Sequence, residues 1–172
     1  MRDFTDRVAA ITGAASGMGR TVALDLARRG CHLALSDVDD EGLARTAELV
    51  GRGDVRVTTT RVDVADRAAV TAWADEVVDA HGRVNLIVNN AGVAVVASVE
   101  GTPEEDLEWL MGINYWGVVH GTRAFLPHLR AAGEGHVVNI SSVFGMLGMP
   151  TQSAYCSAKF AVRGFTESLR VE

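Results

Sequence analysis

Cysteine and proline are scarce in this chain of 172 residues, which holds two of the first and three of the second. Cys31 and Cys156 lie far apart and form no CxxC pair. That argues against a disulfide scaffold or a zinc site and makes a reducing compartment, the cytoplasm, the expected location. No apolar run approaches the roughly 18 residues needed to cross a bilayer. The N-terminal stretch places acidic residues before its apolar run and shows no signal-peptide cleavage pattern. Positive charge is in deficit, with 16 Lys plus Arg against 22 Asp plus Glu and a formal net charge of −6. A nucleic-acid partner or a polybasic membrane contact is therefore not expected. The histidines, at 32, 81, 120, 128 and 136, show no ligand spacing, and no metal is expected. What is plentiful is apolar residues, 48% of the chain, enough for the core of one domain spanning 1–172. Glycine is also plentiful, at 18, and falls at particular points.

Short β-rich runs alternate with longer helical ones. Strands are expected at Arg7–Thr12, His32–Ser36, Val55–Arg61, Val84–Val88 and His136–Ile140. Helices are expected at Gly19–Arg29, Glu41–Val50, Asp66–His81, from Thr102 to about Arg130, and at Gln152–Val171. Gly30 and Gly82 sit where left-handed C-terminal caps belong. Thr102-Pro103-Glu104-Glu105 predicts a helix start with Thr102 as N-cap. Strands separated by helices imply crossover connections. The expected fold class is α/β: a doubly wound parallel sheet of Rossmann type in three α/β/α layers. There are no repeats, linkers or low-complexity tracts.

Thr12-Gly13-Ala14-Ala15-Ser16-Gly17-Met18-Gly19 lies between the first strand and the first helix. Glycine there permits a tight turn and lets backbone approach a pyrophosphate, which the helix N-terminus can bind. An isolated glycine pattern is more often an ordinary loop. Here the strand–turn–helix context fits, and Asp37 lies 24 residues beyond Gly13 at the end of the second strand. A carboxylate at that place accepts hydrogen bonds from ribose hydroxyls and repels a 2′-phosphate. Residues 14, 15, 16 and 18 supply no Lys or Arg, so NAD is favoured over NADP. The run Asp39-Asp40-Glu41 is read as a solvated helix start.

Tyr155 and Lys159 are four apart on an expected helix and share a face. Such a pair is usually accidental, but Ser142 precedes it by 13 residues, just past a strand whose carboxyl end is where open α/β sheets bind ligands. A free phenol, with pKa about 10, is too weakly acidic for proton transfer near neutrality. A neighbouring ammonium favours the phenolate, and Ser142 could hold a substrate oxygen. Asn114 interrupts an apolar stripe of Leu107, Leu110, Met111, Val118 and Phe125. A buried amide must find partners, so Asn114 is either a structural link or part of a wet site; alone, the structural reading is preferred.

With these residues together, the sequence resembles the short-chain dehydrogenases/reductases, single-domain nicotinamide-dependent oxidoreductases. The resemblance runs from Arg7 to Glu172 and rests on Thr12-Gly13-x-x-x-Gly17-x-Gly19, Asn89-Asn90-Ala91-Gly92, Asn114, Ser142 and Tyr155-x-x-x-Lys159. The TGxxGxxG turn of the larger sugar-nucleotide epimerases is not matched. The resemblance implies an NAD-dependent alcohol dehydrogenase or ketone reductase acting on a small-molecule secondary alcohol or ketone. It implies Tyr155 as general acid/base, Lys159 as ribose binder and partner of the phenol, and Ser142 as the group polarising the carbonyl. Asn114 would hold a water joining Lys159 to a proton relay. Gly13, Ser16, Gly17, Met18, Gly19 and Asp37 would hold the cofactor together with Tyr155 and Lys159. Asp63 and Val64 would contact the adenine, and Asn89, Asn90, Ala91 and Gly92 would line the cofactor and steady the sheet. Ser141 is the rival for the serine role, and spacing favours Ser142; Cys156 is read as packing.

Family members continue with two further strands, a Pro-Gly turn and a mobile substrate loop. The resemblance therefore implies that this sequence is a fold truncated before its last two strands and belongs to a longer chain. The segments Val93–Val96 and Val143–Met149 flank the expected site and are apolar. They suggest a hydrophobic substrate; ordinary packing beneath a loop is the alternative. A homodimer or homotetramer is implied, formed through the helices near Thr102–Arg130 and Gln152–Val171. Trp109 and Trp116 would serve such an interface or pack on the sheet. The competing readings are a non-catalytic NAD(H) sensor or scaffold and an inactive fragment. The complete Asn, Ser, Tyr and Lys set argues for the enzyme.

Overall fold

A computed structural model describes residues 3–51 and 54–172, so residues 1, 2, 52 and 53 of the expected domain lie outside it. Five strands, β1 (Val8–Thr12), β2 (His32–Asp37), β3 (Val57–Arg61), β4 (Leu86–Asn89) and β5 (His136–Asn139), form one parallel sheet in the order β3-β2-β1-β4-β5. The chain winds outward from β1 in both directions, so the order reverses between β1 and β4, where Ala9 pairs with Leu86 and Ile11 with Val88. Observed strand ends differ from the expected ones by one or two residues. The helices are α1 (Gly17–Arg28), α2 (Asp40–Val50), α3 (Arg67–His81), α4 (Glu104–Met111), α5 (Gly117–Ala131) and α6 (Ser153–Val171).

Alternation along the strands feeds two cores. Val8, Ala10, Ala34 and Ile87 meet Val70, Trp73 and Val77 of α3 and Phe125 and Leu129 of α5. Ala9, Ile11, Leu33, Leu35 and Val88 meet Ala23 and Leu26 of α1 and Leu43 of α2. Helices on both faces explain why every residue of β1 is buried and why it reads as a continuous apolar run. Helix α1 ends as expected: Gly30 has φ +77, its N–H bonds Ala27 O at 2.9 Å, and Cys31 N–H reaches Leu26 O at 3.1 Å. Asp66 caps α3 through the N–H groups of Ala68 and Ala69, and Gly82 closes it with φ +79.

Two expectations are corrected. Thr102 does not cap a helix. Its hydroxyl turns back to Ser98 O at 2.8 Å, a local bond that competes with capping, and α4 starts after Pro103, which provides no side-chain bond. The single helix to Arg130 is instead interrupted by a π turn over Gly112–Trp116, in which Gly117 N–H bonds Gly112 O. A Cβ on Gly117 would lie 2.7 Å from Val64 Cγ2 and one on Gly121 2.0 Å from Asn89 Oδ1, so these glycines let α5 approach the sheet closely. The apolar stripe nevertheless continues across the π turn, and its exposed member lies before it. Leu110, Asn114, Val118 and Phe125 are buried, whereas Leu107 is 40% exposed. Trp109 and Trp116 are each half exposed rather than packed on the sheet.

At the opposite end of the sheet, His81 is buried with Nε2 on Thr58 Oγ1 at 3.0 Å and Nδ1 without a partner among the described residues. Burial, then the charges of Arg56 and His32, pushes its pKa down to about 4. The folded value lies below the ordinary 6.5, so the stability this neutral imidazole supports is complete above pH 6.5 and is lost as pH falls toward 4. Urea unfolding should show a loss of roughly 1–2 kcal/mol at pH 5 relative to pH 7.5 that is absent in His81→Gln. Equal pH dependence in both proteins would refute this origin.

Candidate active site

A cleft of about 730 Å³ opens at the carboxyl ends of the strands, where the sheet order reverses. Of the residues expected to act, Gly13, Ser16, Gly17, Met18, Asp37, Asp63, Val64, Asn90, Ala91, Gly92, Ser142, Tyr155 and Lys159 all line it. Gly19, Asn89 and Asn114 do not: Asn89 is buried inside the sheet, its Nδ2 donating to Thr122 Oγ1 at 3.2 Å and Asn139 Oδ1 at 2.8 Å, so it steadies the sheet and does not line the cofactor. Gly19 is buried beneath the turn, where a Cβ would come within 2.1 Å of Gly13 O. Asn114 is fully buried behind Gly92.

The β1–α1 turn is shaped by glycine. Gly13 and Gly17 have φ +66 and +51, and a Cβ on Gly13 would lie 2.8 Å from both Ala91 Cα and Asn90 Nδ2. Asn90 Nδ2 donates to Thr12 O at 2.9 Å and Gly13 O at 3.1 Å. Thr12 Oγ1 accepts from the N–H groups of Asn90 and Ala91, both at 3.0 Å. These bonds lock the ends of β1 and β4 across the reversal. Ser16 stands at the N-cap of α1 yet makes no capping bond. The helix therefore presents unpaired N–H groups and the positive end of its dipole to the cleft.

Asp37 ends β2 at one end of the cleft. Its Oδ2 accepts from Ala15 N–H at 3.0 Å, and its Oδ1 from Val38 and Asp39 N–H at 2.8 and 3.2 Å. The carboxylate is thus held in one orientation, with lone-pair capacity left for a ligand. Asp39 caps α2 through Gly42 N–H at 2.9 Å, so the acidic run is a helix start as expected.

Tyr155, Lys159 and Ser142 form the other end. Lys159 is only 4% exposed, and its Nζ donates to Ile140 O at 2.9 Å. Burial holds its pKa below the ordinary 10.5. Nζ lies 5.6 Å from the centre of the Tyr155 ring. Phe144 meets that ring edge-on at 6.2 Å. Ser141 Oγ donates to Lys159 O at 3.0 Å, which occupies its proton. Ser142 Oγ only accepts, from Phe144 N–H at 3.2 Å, so its proton remains available. Asn114 pairs both side-chain atoms with Val93: Oδ1 accepts from its N–H and Nδ2 donates to its carbonyl, each at 2.8 Å. It sits within the π turn, a distortion often found at functional sites. A Cβ on Gly92 would lie 3.2 Å from Asn114 Oδ1 and 3.7 Å from Lys159 Nζ, so these groups converge on one point.

Sequence reasoning missed three contributors. Ile140 acts through its carbonyl, which no residue type announces. Thr12 acts through its hydroxyl, although it was visible as the first residue of the glycine motif. Arg20, directly after that motif, is considered separately below.

A family model described as short chain dehydrogenase matches residues 7–172. A protein named SadH from Mycobacterium tuberculosis is 52% identical over 172 residues, covering 100% of this chain and 62% of its own length. A short chain dehydrogenase/reductase from Burkholderia phymatum, solved in complex with NAD, superposes with a TM-score of 0.95 at 40% identity, over 98% of this chain and 60% of that one. Carveol dehydrogenase from Mycobacterium avium, also in complex with NAD, gives 0.93 at 34% identity, over 97% and 65%. The chain thus spans about three fifths of the length of these relatives.

Proposed function

Because the chain belongs to the short-chain dehydrogenase family, we propose that it contributes the cofactor and proton-transfer site of an NAD-dependent oxidoreductase interconverting a secondary alcohol and a ketone. One observation carries this reading: Lys159, buried and desolvated, shares a helix face and a cleft with Tyr155, and the same cleft holds the glycine turn and Asp37. The residues present fit a dinucleotide. The ammonium has three donors, only one of which is used by Ile140 O, so two remain for ribose hydroxyls. Ser16 and the N-terminus of α1 suit a pyrophosphate, and Asp37 suits the adenosine ribose. When bound, the nicotinamide supplies or accepts the hydride.

The chain's own residues manage the proton. Among the described residues the Tyr155 hydroxyl has no hydrogen-bond partner, which leaves it free to meet a substrate oxygen. It gives its proton to that oxygen in reduction and takes it back in oxidation. Ser142 donates to the same oxygen and polarises the carbonyl. Lys159 places positive charge beside the phenol, and Asn114 fixes the segment at Val93 that forms the adjoining wall. Val93, Ala94, Val143 and Phe144 line the cleft next to Tyr155, which supports an apolar substrate. The buried thiols Cys31 and Cys156 support a reducing, cytoplasmic setting. Incubating the full-length protein with NAD and a panel of apolar secondary alcohols should produce NADH. Dinucleotide binding without turnover on any of them would favour a sensor or scaffold.

Asp37→Ala tests the choice of cofactor. It removes an acceptor for the ribose hydroxyls and a negative charge that would repel a 2′-phosphate. The KM for NAD should rise by about tenfold, and the preference for NAD over NADP should fall by about a hundredfold. A wild-type protein that already prefers NADP would contradict the electrostatic argument.

A further inference from the structure

Arg20 is half-buried at the start of α1, and its bonds reach the β1–α1 turn, which would hold the pyrophosphate, and helix α2, which follows the loop of Asp37. Its Nε donates to Thr46 Oγ1 at 2.9 Å, and its Nη2 donates to Ala15 O and, at 3.4 Å, to Gly42 O. Thr46 Oγ1 in turn bonds Ala14 O at 2.8 Å. Together with Ser36 O, which accepts from Ala14 N–H at 3.1 Å, and Asp37 Oδ2, which accepts from Ala15 N–H, these contacts pin all four backbone polar atoms of Ala14 and Ala15. Among the described residues no carboxylate forms an ion pair with Arg20, although arginine remains charged at any physiological pH. Its fork is spent on carbonyls and one hydroxyl behind the turn. Gly42 makes room for this arrangement, since a Cβ there would lie 2.7 Å from Ala15 Cβ and 3.0 Å from Ala15 O.

We propose that Arg20 is a positioning residue for dinucleotide affinity and for discrimination between NAD and NADP. The proposal rests on the reading of the cleft as a dinucleotide site. Arg20 Nε holds Thr46 Oγ1, which bonds Ala14 O, and Ala14 O shares its peptide plane with the Ala15 N–H that anchors Asp37 Oδ2, while Arg20 Nη2 on Ala15 O fixes the next plane, whose N–H is that of Ser16. One side chain thereby sets both the path of the turn approaching Ser16 and the orientation of the ribose-binding carboxylate. Two features set this apart from ordinary buttressing. The guanidinium bridges α1, the turn and α2 simultaneously, which a single ammonium cannot do. Its positive charge, with no carboxylate in direct ion-pair contact among the described residues, lies on the side of the α1 N-terminus where a pyrophosphate would lie.

The test uses Arg20→Lys and Arg20→Gln in the natural full-length protein, with Thr46→Val as a variant that keeps the guanidinium but removes one of its anchors. NADH and NADPH binding is measured by fluorescence titration alongside steady-state kinetics and thermal melts. Arg20→Lys keeps the charge and loses the fork. It should raise the NADH Kd by about tenfold and narrow the NADH-over-NADPH preference by about fivefold, with a much smaller change in kcat at saturating cofactor. Arg20→Gln should weaken NADH further, because the charge is lost too. In an Asp37→Ala background the effect of Arg20→Lys on preference should vanish, since its route through Ala15 N–H is gone. A folded Arg20→Lys or Thr46→Val protein with unchanged Kd and unchanged preference would overturn the proposal, as would a preference change that persists without Asp37. If Arg20→Lys does not fold, Thr46→Val alone decides by the same two readouts. Wild-type protein that binds neither dinucleotide would instead overturn the cofactor reading itself.

Discussion

Tyr155→Phe should abolish turnover by a factor of about 10³ or more while leaving the NADH Kd within a few-fold of wild type. The substitution removes one oxygen and keeps the ring that packs edge-on against Phe144 and lies near Lys159 Nζ. On the proposed reading the dinucleotide would be held mainly elsewhere, by the glycine turn, Asp37 and Lys159, so affinity and chemistry should separate. That separation distinguishes a proton-transfer role from a structural one: a packing role would lower the melting temperature and affinity together. Stopped-flow reduction of a ketone by NADH, with parallel fluorescence titration, reads both quantities. Turnover within tenfold of wild type would remove Tyr155 as the acid/base.

Lys159→Met should have the second-largest effect, and its sign differs between function and stability. The ammonium is buried, and desolvation lowers its pKa from the ordinary 10.5. Burying a charge without a carboxylate partner costs stability. That cost is present in full below the folded-state pKa and is relieved as pH rises through it toward 10.5. Methionine of similar length removes the cost and leaves Ile140 O to find other satisfaction. At neutral pH the variant should be as stable as wild type or more so, by about 1 kcal/mol, and the difference should shrink in alkaline buffer. Turnover should nevertheless fall by about 10² or more, and NADH affinity should weaken because the ribose donors are gone. A variant that loses stability along with activity at neutral pH would show that the lysine is retained for structure.

The fold and most of the site were legible because their signals are local. Alternation of β-branched runs with capped helices implied the sheet, and the glycine motif, Asp37 and the Tyr155/Lys159 pair sit on a strand–turn–helix, a strand end and one helix face. What was not legible depends on backbone atoms or on tertiary fit. The capping reading of Thr102 failed because its hydroxyl found Ser98 O in the preceding loop. The π turn at Gly112–Trp116 leaves no mark in the apolar spacing, and Leu107, on the first turn of α4 before it, is 40% exposed although its spacing places it on the stripe. Asn114 was flagged as a buried amide, but its partners are the backbone atoms of Val93, 21 residues away and without sequence signature. The two adjacent serines separate only in three dimensions, where Ser141 is committed to Lys159 O.

A structure of the full-length protein bound to NAD tests the central claim most directly. The account predicts the adenosine ribose on Asp37 and the nicotinamide ribose within hydrogen-bond reach of Lys159 Nζ. The reactive ring carbon should lie about 4 to 5 Å from the Tyr155 hydroxyl, with room for one carbonyl between them. A dinucleotide seated away from the β1–α1 turn, or a nicotinamide ring turned away from Tyr155, would contradict it.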